Sequence, residues 1–92
     1  MAQMNGKTVL ITGASRGIGA SAAQIFAEAG ARVALLARSG EQIGALAKGL
    51  GDQAMAVPCD VSRWADVEAA FVTVLEAFGS IDVVINNAGV IE

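Results

Sequence analysis

The sequence predicts an α/β fold: one parallel sheet of strand order 3-2-1-4, helices on both faces, the first half of a doubly wound arrangement. Three observations predict it. Short, nearly continuous apolar runs alternate with amphipathic stretches along all 92 residues. The runs have no polar face, which is how strands covered on both sides read. A glycine-rich turn separates the first run from the first amphipathic stretch.

Each element follows from its own residues. Lys7 to Thr12 is β-branched and apolar, a buried strand. After the turn, Ile18, Ala22, Ile25, Phe26 and Ala29 recur at helical spacing, and Gly30 closes that helix. Ala31 to Ala37 is the second strand. Ser39 and Gln42 form a capping box that opens the second helix, whose apolar face is Ile43, Leu46, Ala47 and Leu50. Ala54 to Val57 is a short third strand, stopped by Pro58. Ser62 is the expected N-cap of a third helix. Its stripe is Val67, Ala70, Phe71, Val74, Leu75 and Phe78, with Gly79 as the cap. Asp82 to Asn86 is the fourth strand. Right-handed crossovers put that strand at an edge, where Val83, Val84 and Ile85 leave apolar backbone open to a partner. A homo-oligomer, or pairing through this strand, is the expected consequence.

Composition narrows the function. Residues 1–92 are too short for more than one domain. With 54% hydrophobic residues, 16% charged and a mean hydropathy of +0.57, the chain folds rather than stays disordered. A net charge of −3 and a pI near 4.7 leave no electrostatic footprint for a nucleic acid. Cys59 is the single cysteine and forms no internal disulfide, which fits a reduced, cytoplasmic setting. Met1 to Lys7 lacks the apolar stretch of a signal peptide, and no run is long enough for a membrane span. The chain has no His and no Tyr. That excludes Ser-His-Asp and Cys-His nucleophiles, His-held metals and a tyrosine proton donor within these residues.

Four motifs carry the remaining chemistry. Thr12-Gly13-Ala14-Ser15-Arg16-Gly17-Ile18-Gly19 spaces its glycines as G-x-x-x-G-x-G. Such glycines let backbone turn sharply and approach a ligand, and the helix that follows offers free N–H groups to a pyrophosphate. A side chain at Gly19 is expected to crowd that phosphate. The alternative is a plain strand-to-helix turn. Arg38 ends the second strand, a tip that faces an adenosine ribose in doubly wound folds. No acid stands there, and Arg38, joined by Arg16, suits the 2′-phosphate of NADP(H) better than the bare ribose of NAD(H). The alternative is two solvated arginines. Asp60, after the third strand, suits an adenine amino group or, equally, the backbone entering the next helix. Cys59 reads as a packing residue and Trp64 as a surface residue of the helix. Asn86-Asn87-Ala88-Gly89 leaves the fourth strand with two amides able to bond nearby backbone.

In this order and spacing, from about Gly6 to Val90, the chain resembles the short-chain dehydrogenase/reductase family. It is most similar to 3-oxoacyl-acyl-carrier-protein reductases and related NADP(H) carbonyl reductases. The resemblance implies a Rossmann-type, dinucleotide-binding domain and hydride transfer between a nicotinamide and a carbonyl or alcohol. It implies that Gly13 to Gly19, with Gly17 and Ile18, hold the pyrophosphate. Ser15, Arg16 and Arg38 would surround the 2′-phosphate, Asp60 and Val61 meet the adenine, and Asn87, Ala88 and Gly89 line the ribose. The family's catalytic Ser, Tyr-x-x-x-Lys pair and Asn follow the Asn-Asn-Ala-Gly motif, and this sequence stops three residues after it. The expectation is therefore a partial domain: an N-terminal, cofactor-binding portion with no catalytic group and no metal. A stand-alone half-Rossmann module that binds a nucleotide or self-associates is the alternative.

Overall fold

The computed structural model describes residues 3–14 and 17–87. Its elements are β1 (Thr8–Thr12), α1 (Gly17–Glu28), β2 (Arg32–Ala37), α2 (Gly40–Leu50), β3 (Ala54–Pro58), α3 (Trp64–Phe78) and β4 (Val83–Asn86). The four strands form one parallel sheet in the order β3-β2-β1-β4. The expected order and direction are both realised.

The sheet separates two cores. Val9, Ile11, Val33 and Leu35 face α1 and α2, meeting Ala23, Ala27, Ile43 and Ala47. The alternate residues Leu10, Ala34 and Leu36 face α3, meeting Ala70, Val74 and Cys59. Every residue of β1 is buried, because helices lie on both of its faces. That double burial is why the strand is apolar throughout rather than alternating.

Two helix starts differ in how they are made. Ser39 caps α2, its Oγ accepting from Gln42 N at 3.3 Å. The expected cap at Ser62 is not formed. Arg63 is the N-cap of α3 and makes no side-chain cap bond. The Ser62 hydroxyl donates instead to Asp60 Oδ1 at 2.6 Å, so the carboxylate two residues upstream has captured it. At the other end of α3, Gly79 adopts a left-handed conformation, φ 86°, and its N–H donates to Leu75 O.

The buried row of α1 also differs from the expected one. Gly19, Ala23 and Ala27 face the sheet, with Ala22 and Phe26 half-buried beside them. Ile18 and Ile25 are 77% and 63% exposed. Small residues allow the helix to lie close to β1 and β2, and that close approach rotates the bulkier isoleucines outward. The α3 stripe holds at Ala70 and Val74, while Leu75 is exposed. β4 lies at the sheet edge as expected, and Val84 is 50% exposed.

Candidate functional site

Parallel register brings the tips of all four strands to one edge of the sheet. Thr12 is level with Leu36 on one side and Asn86 on the other, and Ala37 is level with Pro58. The residues just beyond, Gly13, Arg38, Asp60 and Asn87, therefore share one rim. The carboxyl ends of parallel strands are where ligands of open α/β sheets sit.

The glycine turn leaves β1 at Gly13, φ 64°, and enters α1 at Gly17, φ 65°. A Cβ at Gly17 would meet nothing within 4 Å, so its backbone conformation is what calls for glycine there. Between them Ala14 is fully buried, and its N–H donates to Leu36 O at 3.3 Å, which ties the turn to β2. Gly19 is different. A Cβ there would lie 2.5 Å from Gly13 O, 2.7 Å from Asn87 Nδ2 and 3.0 Å from Ala14 Cα. The atoms it would strike first belong to the protein. Close packing of α1 on the turn thus calls for glycine at 19 on its own account. Ile18 is exposed on the first turn of α1. No acidic side chain lies in that turn to compete for its N–H groups. Ser15 and Arg16 lie outside the described residues, as do Ala88 and Gly89.

Arg38 is exposed at the end of β2, directly before the cap of α2. Asp60 does what its structural alternative described: its Oδ1 accepts from Ser62 N at 3.0 Å and from Ser62 Oγ. The Ser62 hydroxyl, then the Ser62 amide, hold the Asp60 carboxyl below its usual range, and the charges of Arg38 and Arg63 add to this. Asp60 is thus a carboxylate at neutral pH, with Oδ2 not engaged by those bonds. Val61 is 39% exposed next to it. Cys59 is buried, and desolvation first, then Asp66 and Asp60, push its thiol up. It remains a packing residue, since the thiolate is disfavoured.

At the β4 tip, Thr12 Oγ1 donates to Asn86 Oδ1 at 3.0 Å, and Asn87 Nδ2 donates to Gly13 O at 3.2 Å. The first of these was not foreseen from sequence. A threonine ending an apolar strand carries no signal that its hydroxyl will reach a strand more than seventy residues away. Among the described residues no group of His, Cys, Asp and Glu is arranged to hold a metal, and no helix is long and apolar enough to cross a membrane.

The family model for short chain dehydrogenases matches residues 7–92. The chain belongs to the short-chain dehydrogenase family. An uncharacterised oxidoreductase of Staphylococcus haemolyticus is 40% identical over 91 residues, 98% of this chain and 39% of that protein. Oxidoreductase UcpA of Salmonella typhimurium is 47% identical over 93 residues, 98% of this chain and 35% of that protein. Among solved structures, a metagenomic short-chain oxidoreductase in complex with NADP superposes with a TM-score of 0.89 at 41% identity. That match covers 96% of this chain and 41% of the other. The 3-ketoacyl-(acyl-carrier-protein) reductase of Brucella melitensis, complexed with NADH, gives 0.85 at 41% identity, covering 87% and 33%. This short-chain dehydrogenase chain thus spans between 33% and 41% of these four proteins. What it shares with the two solved structures is the fold of the residues they match.

Proposed function

We propose that these residues are the N-terminal, NADP(H)-binding portion of a short-chain dehydrogenase/reductase. The complete polypeptide would transfer a hydride between NADP(H) and a carbonyl or alcohol. The observation that carries this reading is the shared rim: glycine turn, Arg38, Asp60 and Asn87 at the carboxyl ends of four parallel strands. In it the start of α1 receives the pyrophosphate through Gly13 to Gly19. Arg38, with Ser15 and Arg16, takes the 2′-phosphate. Asp60 offers its second oxygen to the adenine amino group beside Val61, and Asn87 to Gly89 line the ribose. One solved relative holds NADH and the other NADP, which supports a dinucleotide. The choice of NADP(H) rests on Arg38 and the lack of an acid between Leu36 and Ser39. No tyrosine occurs in the 92 residues, so a tyrosine proton donor is not supplied by this segment. The buried free Cys59 suits a reducing, cytoplasmic compartment.

Titration of the chain with NADPH and with NADH tests cofactor choice. Two charge-assisted bonds to the 2′-phosphate, each about 1.5–3 kcal/mol, predict a large preference for NADPH. Arg38→Asp should weaken NADPH binding far more than NADH binding. Equal losses with both nucleotides would remove Arg38 from the 2′-phosphate.

The open edge of β4 favours a second reading, a module that pairs with a second copy through that strand. Sedimentation equilibrium at twice the 9.3 kDa monomer mass is its signature.

A further inference from the structure

The loop between β3 and α3 folds around Asp60. Cys59 N donates to Ala37 O at 2.9 Å, which ties the loop to the end of β2, one residue before Arg38. Arg63 N donates to Asp60 O at 3.0 Å, and Ser62 closes on Asp60 Oδ1 through its amide and its hydroxyl. The remaining backbone group of Asp60, its N–H, donates to Asp66 Oδ2 at 3.2 Å. Of these bonds, the one to Asp66 reaches into the body of α3.

Asp66 is the third residue of α3, the N3 position. An acid there ordinarily turns back to the N–H of the N-cap residue and so serves its own helix. Here the Arg63 amide goes to Asp60 O, and Asp66 reaches three residues further back, outside the helix. Both aspartates are half-buried. The residue held by this bond is the one at the rim of strand tips, not the helix end.

We propose that Asp66 is a positioning residue for adenine recognition: by accepting from the Asp60 amide it fixes where the second oxygen of the Asp60 carboxylate points. The inference rests on the nucleotide reading above. Without that acceptor, residues 59–63 keep their internal bonds but lose their side-chain anchor in α3. Asp60 Oδ2 is then no longer held at one place on the rim. A bond to the adenine amino group tolerates little displacement, because hydrogen bonds weaken steeply away from their preferred geometry.

The test titrates the 92-residue chain with NADPH and with its hypoxanthine analogue, in which a carbonyl replaces the adenine amino group. The wild-type chain should bind NADPH about 10-fold more tightly than the analogue, the worth of one charge-assisted hydrogen bond. Asp66→Ala should weaken NADPH binding by about that factor, leave the analogue nearly unchanged and so bring the two together. Asp66→Asn removes the charge from the first turn of α3 but keeps an acceptor oxygen, and it should retain the preference. In an Asp60→Ala chain, Asp66→Ala should not change the preference further, since both residues act through one contact. A further fall there would give Asp66 another route and overturn the proposal. Equal losses with both nucleotides in Asp66→Ala would assign Asp66 to the fold alone and overturn it. So would a preference that survives in Asp66→Ala, or one that Asp66→Asn fails to keep. If Asp66→Ala does not fold, Asp66→Leu, of similar branched shape with no acceptor, takes its place; if neither folds, the proposal falls. A wild-type chain that binds both nucleotides equally well removes Asp60 from the adenine and overturns this inference, while the pyrophosphate site stands. A wild-type chain that binds neither overturns the nucleotide reading as well.

Discussion

Gly19 and Gly44 both lie inside helices, and the same substitution should act on them with opposite sign. Replacing glycine by alanine in a helix interior removes unfolded-state entropy and stabilises by about 0.5–1 kcal/mol where the site is open. A Cβ at Gly44 meets nothing within 4 Å, so Gly44→Ala should raise the urea midpoint. At Gly19 the Cβ would press on Gly13 O, Ala14 Cα and the Asn87 amide. Overpacking of this kind costs roughly 1–3 kcal/mol, which exceeds the entropic gain. Gly19→Ala should lower the midpoint, and a rise would show that the turn yields easily. The glycine spacing was readable from sequence, but the crowding at 19 was not, because it depends on how the turn folds back at Gly13 and Ala14 and on Asn87, far along the chain. Asp82 supplies a second residue-scale test. The Thr8 amide, then the Ser80 hydroxyl, hold its carboxyl below the usual range. A depressed folded value adds stability above the unfolded value, near pH 4, that is lost as pH falls through the folded value. Asp82→Asn should flatten that acid limb of thermal stability. An unchanged limb would assign it to other carboxylates.

Helix termini separate what patterning reveals from what it hides. Ser39 was legible as a cap because its hydroxyl meets the Gln42 amide three residues on, the partner that the spacing indicates. Ser62 was misread because Asp60 takes its hydroxyl and its amide, leaving Arg63 at the N-cap. Competition among short polar side chains is decided by the loop path, which periodicity does not encode. The same physics offers a gain. Arg63 already has extended backbone, φ −114° and ψ 115°, as an N-cap requires. Arg63→Ser should supply the missing acceptor and stabilise by about 1 kcal/mol, whereas Ser39→Ala should cost a similar amount. Circular dichroism melts of the two variants give the comparison. Stabilities that move together would mean neither cap controls its helix. The α1 face was misread for a different reason. Reading the largest apolar residues as buried picks Ile18 and Ile25, but the sheet accepts Gly19, Ala23 and Ala27, the residues small enough for close contact.

Across the whole molecule the exposed apolar residues are not scattered. Ile18 and Ile25 are exposed on α1 and, seven residues apart, share one flank of it. On α3, Trp64, Phe71, Val72 and Leu75 line a shallow cavity of about 260 Å³. Val84, in register with Leu10, faces the same side of the sheet as α3 and is half exposed. The sheet is therefore covered around β1 and β2, while at β4 Val83 and Ile85 pack beside the α1 core and Val84 on the other face stays half exposed. The strand order was legible because parallel strands and right-handed crossovers admit few arrangements. The unfinished side was legible only as an open edge, since the flanks depend on how far each helix rotates on its own contacts. Exposed apolar surface of this kind drives association. Val72→Glu with Leu75→Lys places two charges on the α3 flank without touching the buried Ala70 and Val74. The pair should raise the concentration at which the 92-residue chain associates in sedimentation velocity, while the melt stays nearly unchanged. If association persists undiminished, the α3 flank is not the surface that drives it. Val84→Lys, which charges the strand edge itself, would then separate strand pairing from the α1 flank.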